Sequence, residues 1–381
     1  MTAMRSPSDA PSALVAGSAF GLSLGAMTLT FPLIALAVGL SPILTGLLAT
    51  VSGIVQLLTR LILPWLLGRA SDRGIASLGA FFLLLSLLVL LASGSLPGFA
   101  VAQVLQGAAR SLFWTACQAH MIQEPAMASR RLAKFQLACS LGGVAGPASA
   151  GFFAAALSLR AGIIVGIASA LVCLIATCFM ERRTFHRRAP RAVRPATWRT
   201  PNVLVGCWAS FAAGGWRGAL ESYVPIVLST GGFGAGAIGL MTAASDMASV
   251  ASNAWLTRSQ PFSESGLIRA SGLVVFVAAT IFPFTTGHSV LAAVVLAAGG
   301  ASSGLVTVLG LSMASGNVDP SERGAAIALP GTYRASARLL SPSVTSAIAF
   351  VVPIPIAMSL VGAVMTLPVV LSGRRQTLGD P

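Results

Sequence analysis

The sequence predicts an all-α membrane protein of twelve transmembrane helices arranged as two pseudo-symmetric six-helix halves. Three observations predict it. The 381-residue chain is 55% hydrophobic and only 9% charged, with a mean hydropathy of +0.85, more apolar surface than a water-soluble fold can hide. Pro11–Thr59 and Ile75–Ala109 contain no Asp, Glu, Lys or Arg, and each run is too long for one crossing of about 20 residues and fits two. Basic residues collect at alternate junctions between apolar segments, as in a chain that crosses and recrosses a bilayer.

The elements follow in order. Helices 1 and 2 (13–38 and 42–66) divide the first charge-free run at Ser41-Pro42, an N-cap acceptor before a proline that needs no donor partner. Helices 3 and 4 (75–94 and 98–121) divide the second run. Helices 5 and 6 (131–157 and 161–180) follow the basic junction at Arg130 and Arg131 and part at Arg160. Helix 7 (202–228) opens at Thr200-Pro201, and helices 8, 9 and 10 cover 236–256, 267–285 and 289–314. Helix 11 (320–348) opens at Asp319-Pro320-Ser321-Glu322, with Glu322 at the capping-box position, and helix 12 covers 353–371.

Charge fixes the expected orientation. Of the 24 basic residues, only Arg160 falls on one side of this layout, and Arg60, Arg110, Arg217, Arg334 and Arg338 fall inside spans. The remainder fall on the other side, which the positive-inside rule makes cytoplasmic, with both termini there. The first apolar segment is too long for a cleaved signal peptide and others follow it, so the N-terminus is expected to be retained. The expected location is a bacterial inner membrane. A net charge of +14 would suggest nucleic acid in a soluble chain, but these arginines are dispersed between apolar segments, so no nucleic-acid partner is expected.

The one long polar stretch, 181–200, separates apolar blocks of nearly equal length. The expected domains are an N-terminal six-helix half (1–180), a basic cytoplasmic linker (181–200) and a C-terminal six-helix half (201–381). A weak internal repeat agrees with this division. Gly142-x3-Gly146-Pro147-x3-Gly151 in helix 5 is matched 195 residues later by Ala337-x3-Ser341-Pro342-x3-Ser346 in helix 11. Small residues four apart let helices approach closely, and a buried proline bends a span.

Cys117, Cys139, Cys173, Cys178 and Cys207 lie in apolar segments without metal-ligand spacing and read as small packing residues. No metal site and no cofactor are expected. Trp65 and Trp255 fall near the expected cytoplasmic interface and read as anchors, whereas Trp114, Trp208 and Trp216 are placed to stack on a flat ligand.

Five arginines and two carboxylates inside the spans are costly unless paired or hydrated. Arg217 and Glu221 share a face one turn apart, as do Arg334 and Arg338. The excess of arginine leaves two readings open: an anionic ligand, suited to the guanidinium fork, or structural pairing. Asp246 and Glu221 are the candidate proton-coupling groups, because a buried carboxyl holds its proton and a neighbouring guanidinium loosens it. The alternative makes them permanent salt-bridge partners. Arg60, near a helix end, reads as structural. Gln56, Gln103, Gln106, Ser245, Ser302 and Ser303 offer hydrogen bonds to a ligand or to other helices.

The whole chain resembles the major facilitator superfamily, through its twelve spans, its basic linker and two motifs. Gly68-Arg69-Ala70-Ser71-Asp72-Arg73 after helix 2 resembles the family's G-x3-D-R/K loop, which implies a cytoplasmic gate latch built on Gly68, Asp72 and Arg73. The residues after it, Gly74-Ile75-Ala76-Ser77, depart from the family pattern, and the corresponding loop near Trp255–Ser265 has lost it. Gly142, Gly146, Pro147 and Gly151 resemble the helix-5 motif that family members of the drug/proton-antiporter type carry. Where helix 4 of the family often has a relay arginine, this sequence has Gln103, followed by Gln106-Gly107; Arg110, two turns on and on the same face, is the candidate replacement.

The function this implies is secondary active transport of a small organic molecule, an anion on one reading, across the inner membrane by proton-coupled efflux. Alternating access about a midplane site lined by helices 1, 4, 7 and 10 is the mechanism that the resemblance implies. A proton symporter or uniporter importing an organic anion is the alternative, and a channel or non-transporting sensor is the alternative of another class. Expected partners are the small-molecule substrate, protons and membrane lipids, with the chain a monomer. An enzyme is not expected, since His120, His186 and His288 are scattered among three junctions, and no G-x4-G-K-S/T loop is present to bind ATP. The candidate substrate residues are Arg110, Arg217, Arg334, Arg338 and Gln103.

Overall fold

The computed structural model describes residues 9–67, 69–121, 128–182, 200–258, 263–316 and 323–376. Among these lie thirteen α-helices: α1 (Asp9–Ala37), α2 (Pro42–Leu67), α3 (Asp72–Ala92), α4 (Leu96–Met121), α5 (Ala128–Ala156), α6 (Leu159–Cys178), α7 (Pro201–Glu221), α8 (Tyr223–Thr230), α9 (Ala235–Arg258), α10 (Glu264–Ile281), α11 (Ser289–Gly316), α12 (Arg323–Ala349) and α13 (Ile354–Gln376). The described residues form no strand. A 3-10 turn, Phe282–Phe284, extends α10. Twelve passes account for all of them, because α7 and α8 together fill the span expected as one continuous helix over 202–228.

Local chemistry sets the helix starts. Ser41 Oγ accepts from Leu44 N at 3.2 Å ahead of α2, as expected. The third helix starts at Asp72, earlier than the expected 75, because Ser71 Oγ caps Gly74 N at 3.2 Å. Likewise Ser158 caps α6 and Ser263 caps α10, each moving a start ahead of the apolar run. Thr200-Pro201 does begin α7, with proline in the first turn but no side-chain cap bond. The expected cap at 319–322 and positions 183–199 of the expected linker lie outside the described residues.

Eight helices are long and apolar enough to cross a membrane on composition alone: α1, α2, α3, α5, α6, α10 with its 3-10 turn, α11 and α13. The other four long helices, α4, α7, α9 and α12, are those that carry Arg110, the pair Arg217 and Glu221, Asp246, and the pair Arg334 and Arg338. Large side chains stand outward along the helices, with Leu61, Phe152, Phe179, Val290 and Phe350 all exposed. Such a surface belongs against hydrocarbon, so this is a multi-pass membrane protein.

The chain resolves into two compact units. One comprises Met1–Leu40, Val51–Ala189 and Gly234–Ala243, and the other Ser41–Thr50, Pro190–Phe233 and Ala244–Pro381. In unit one, α1 packs along α5 through glycines. A Cβ on Gly25 would stand 2.7 Å from Gly143 O and from Pro147 Cδ, and one on Gly146 would stand 2.7 Å from Ala26 N. Gly151 meets Gly239 at the start of α9, where a Cβ would lie 3.0 Å from its Cα.

Unit two repeats this seam between α7 and α12. A Cβ on Gly214 would stand 3.0 Å from Ala337 Cβ, and one on Gly218 would stand 2.8 Å from Ser341 Cβ. Ser346 completes the series by meeting Tyr223 Oη at 2.7 Å. Of the three positions offset by 195 from Gly142, Gly146 and Gly151, Ala337 and Ser341 thus face α7 as Gly142 and Gly146 face α1, and Ser346 faces α8.

Candidate functional site

Arg217, Glu221, Asp246, Arg334 and Arg338 of unit two come together. Arg217 and Glu221 lie one turn apart on α7, with Arg217 Nε donating to Glu221 Oε1 at 2.8 Å. Arg217 Nη1 donates to Asp246 Oδ1 on α9, so one guanidinium bridges both carboxylates. Arg338 on α12 forks onto Glu221, its Nε reaching Oε2 at 2.8 Å and its Nη2 reaching Oε1. Arg334, one turn before Arg338, lies within electrostatic range of Arg217 and Glu221. It forms no ion pair among the described residues and is exposed.

Small residues deliver these side chains. Gly214 and Gly218 flank Arg217 and bring the backbone of α12 against α7. Gly206 and Gly310 bring α11 against α7, and a Cβ on Gly304 of α11 would stand 2.8 Å from Ser249 O of α9. Glycine at these positions costs helix propensity but permits close approach. The resulting cluster is neither dry nor open: the Asp246 side chain is 17% exposed and that of Arg338 30%. Access to water lowers the cost of holding ionised groups on membrane-crossing helices. A separate apolar pocket, lined by Trp216, Tyr223, Phe282, Met358 and Met365 among others, includes no charged residue in its lining.

Helix 7 breaks beside this cluster. It ends at Glu221, Ser222 leaves helical geometry at φ −125°, ψ −74°, and α8 resumes at Tyr223. Pro225 is the cause, since its ring clashes with the carbonyl four residues earlier and offers no N–H to it. Ser222 Oγ satisfies the Gly218 carbonyl at 2.6 Å.

Unit one places the motif residues differently. Asp72 begins α3, where a carboxylate suits the helix N-terminus. Its Oδ1 accepts from Arg73 N at 2.7 Å and its Oδ2 meets His120 Nδ1 at 2.6 Å, with both side chains buried. Arg73 Nη1 donates to the Met180 carbonyl at 3.4 Å. Gly68 lies outside the described residues. The His120 partnership was missed in the sequence, because nothing in the spacing of residues 72 and 120 signals it.

Gln103 and Arg110 are buried on α4 in unit one, among residues of a different unit from the charged cluster. Trp114 lies half-buried one turn beyond Arg110, its ring perpendicular to Phe20 of α1 and Phe135 of α5. Phe20 and Phe113 stack in parallel beside it, 3.9 Å apart. Trp216 is 4% exposed, with its ring packed against Gly299. Trp208 packs against Phe211 and Tyr333. Trp65 and Trp255 are exposed near helix ends, and the Arg69 guanidinium lies 4.2 Å over the Trp65 ring. Four cysteines are buried and Cys178 is exposed.

The fold is shared with solved transporters of low sequence identity. Nucleoside transporter NupG is 10% identical, with 97% of this chain and 98% of that one covered and a TM-score of 0.73. A POT family transporter, solved in complex with a thioalcohol-conjugated peptide, is 11% identical over 97% and 96% of the two chains, with a TM-score of 0.72. D-xylose-proton symporter is 14% identical over 94% and 96%, with a TM-score of 0.71. No curated protein matches the sequence significantly. The family model of the Major Facilitator Superfamily matches residues 13–342. With that match spanning most of its length, the chain belongs to the major facilitator superfamily of membrane transporters.

Proposed function

We propose that the protein is a proton-coupled secondary transporter of a small organic anion, working by alternating access. The observation that carries this reading is the unit-two cluster, where two guanidinium groups pair with two carboxylates, a third stands within electrostatic range, and the paired side chains are partly exposed. Such a site disfavours cations and provides forked donors for carboxylate or phosphate oxygens. Asp246 is the preferred proton carrier, because its only described ion pair is with Arg217, whereas Glu221 is held by both Arg217 and Arg338.

The helix-5 pattern Gly142, Gly146, Pro147 and Gly151 points on family resemblance to efflux in exchange for protons. The positive charge of the cluster favours the other reading, symport of the anion with protons. The bias of basic residues supports a bacterial inner-membrane protein with cytoplasmic termini. Uptake of organic anions, cations and neutral drugs into inverted and right-side-out vesicles, with and without a proton gradient, tests both readings. Gradient-dependent uptake of anions supports the proposal, and gradient-dependent uptake restricted to cations or neutral drugs removes the anion assignment.

A further inference from the structure

Resting on that anion reading, we infer that the unit-two cluster binds a monoanion and a proton together, so that the two move across the membrane in the same direction. The substrate class is a small molecule with one carboxylate or an equivalent singly charged oxyanion, received by Arg334.

The inventory of charge carries the inference. The groups that act on Asp246 are Arg217 and Glu221 from α7 and Arg338 from α12, and Arg334 of α12 acts in turn on Arg217 and Glu221. Helix α11, which also packs against α9, contains no titratable or charged residue. On α9 itself the next charged residue is Arg258, three turns away. With both carboxylates ionised, three guanidinium groups leave an excess of one positive charge, matched by a monoanion. Arg338 is committed to Glu221, and Arg217 is divided between Glu221 and Asp246. Arg334 is exposed and makes no ion pair among the described residues, so its fork is the one directed to a ligand.

A proton arriving on Asp246 Oδ1 cancels that carboxylate and takes the acceptor away from Arg217 Nη1. The excess then becomes two positive charges, and an anion is held more tightly. Linkage is reciprocal, so a bound anion strengthens proton binding by the same factor. Exchange of an anion against a proton at this cluster would need the opposite sign. The two ligands therefore load and leave as a pair.

The test is anion binding to the purified full chain in nanodiscs, using benzoate and lactate as monoanions, succinate as a dianion and tetraethylammonium as a cation. Monoanion affinity is expected to fall as pH rises, by up to about tenfold per pH unit for one linked proton. About one proton should be taken up per anion in weakly buffered solution. Asp246→Asn should bind with the low-pH affinity at every pH. Arg334→Gln should weaken binding by about tenfold or more, the range for a bond to a charged group, without changing the melting temperature.

Proton release on anion binding, affinity that rises with pH, a preference for succinate, or wild-type binding indifferent to pH would overturn the inference while leaving the anion reading standing. Binding confined to tetraethylammonium, or no binding of any anion, removes both.

Discussion

Pro225 stands four residues beyond Glu221, where its ring removes the hydrogen bond that would carry helix 7 past the charged cluster. The break leaves Glu221 as the last residue of α7, anchored by Arg217 and Arg338. Pro225→Ala should make the helix continuous. We expect a melting temperature raised by a few degrees, since interior proline costs about 3 kcal/mol, with turnover several-fold slower because a bend has been lost. Thermal unfolding and initial transport rates, measured side by side, check this; unchanged turnover would make the break a passive consequence of the proline.

The glycine seam of unit one gives an internally controlled prediction. A Cβ on Gly146 would run into the backbone of α1, whereas one on Gly143 meets nothing within 4 Å. Gly146→Ala should therefore destabilise by about 1–3 kcal/mol through overpacking. Gly143→Ala should be neutral or stabilise by up to about 1 kcal/mol through helix propensity. Denaturant unfolding in detergent, with the two variants compared, separates packing from propensity.

At the start of α3, Asp72 and His120 form a buried pair at 2.6 Å. Removing either partner should cost about 1.5–3 kcal/mol, the range for hydrogen bonds to charged groups. The double variant Asp72→Ala with His120→Ala should cost less than the two single losses combined, because neither group is then left unsatisfied. Additive losses in a double-mutant cycle would show that the two side chains act independently.

These three cases also show what a sequence makes legible. The membrane class, the passes and the small-residue seam could be read directly, because hydropathy and four-residue spacing are local signals. Pro225 was present in the sequence too, but a proline inside a span bends some helices and breaks others, and its position alone does not say which. The meeting of Arg217, Glu221, Arg334 and Arg338 was foreseen as two separate pairs; their union depends on Gly214 and Gly218 seating α12 on α7. The Asp72 and His120 contact and the Phe20, Phe113, Trp114 and Phe135 cluster depend on tertiary packing of distant segments, which no spacing encodes.

Within the cluster, Arg217 and Arg334 should behave differently. Arg217→Gln leaves Asp246 without its described donor and Glu221 with one fewer, so folding stability should fall by about 3–5 kcal/mol, the cost of breaking a buried pair, with partial exposure placing it at the lower end. Arg338→Lys should retain charge but lose the fork on Glu221, with a smaller loss. Arg334→Gln should leave unfolding unchanged. Melting curves of the three variants at one pH rank them, and equal losses for Arg334 and Arg217 would assign Arg334 a structural role.

The most direct measurement is gradient-driven accumulation of a monocarboxylate in proteoliposomes of the purified chain, with wild type beside Asp246→Asn. The account predicts that wild type concentrates the anion on the side to which protons flow, and that Asp246→Asn exchanges the anion between compartments but cannot concentrate it. Accumulation equal in the two proteins, or in wild type against the proton flow, would contradict it.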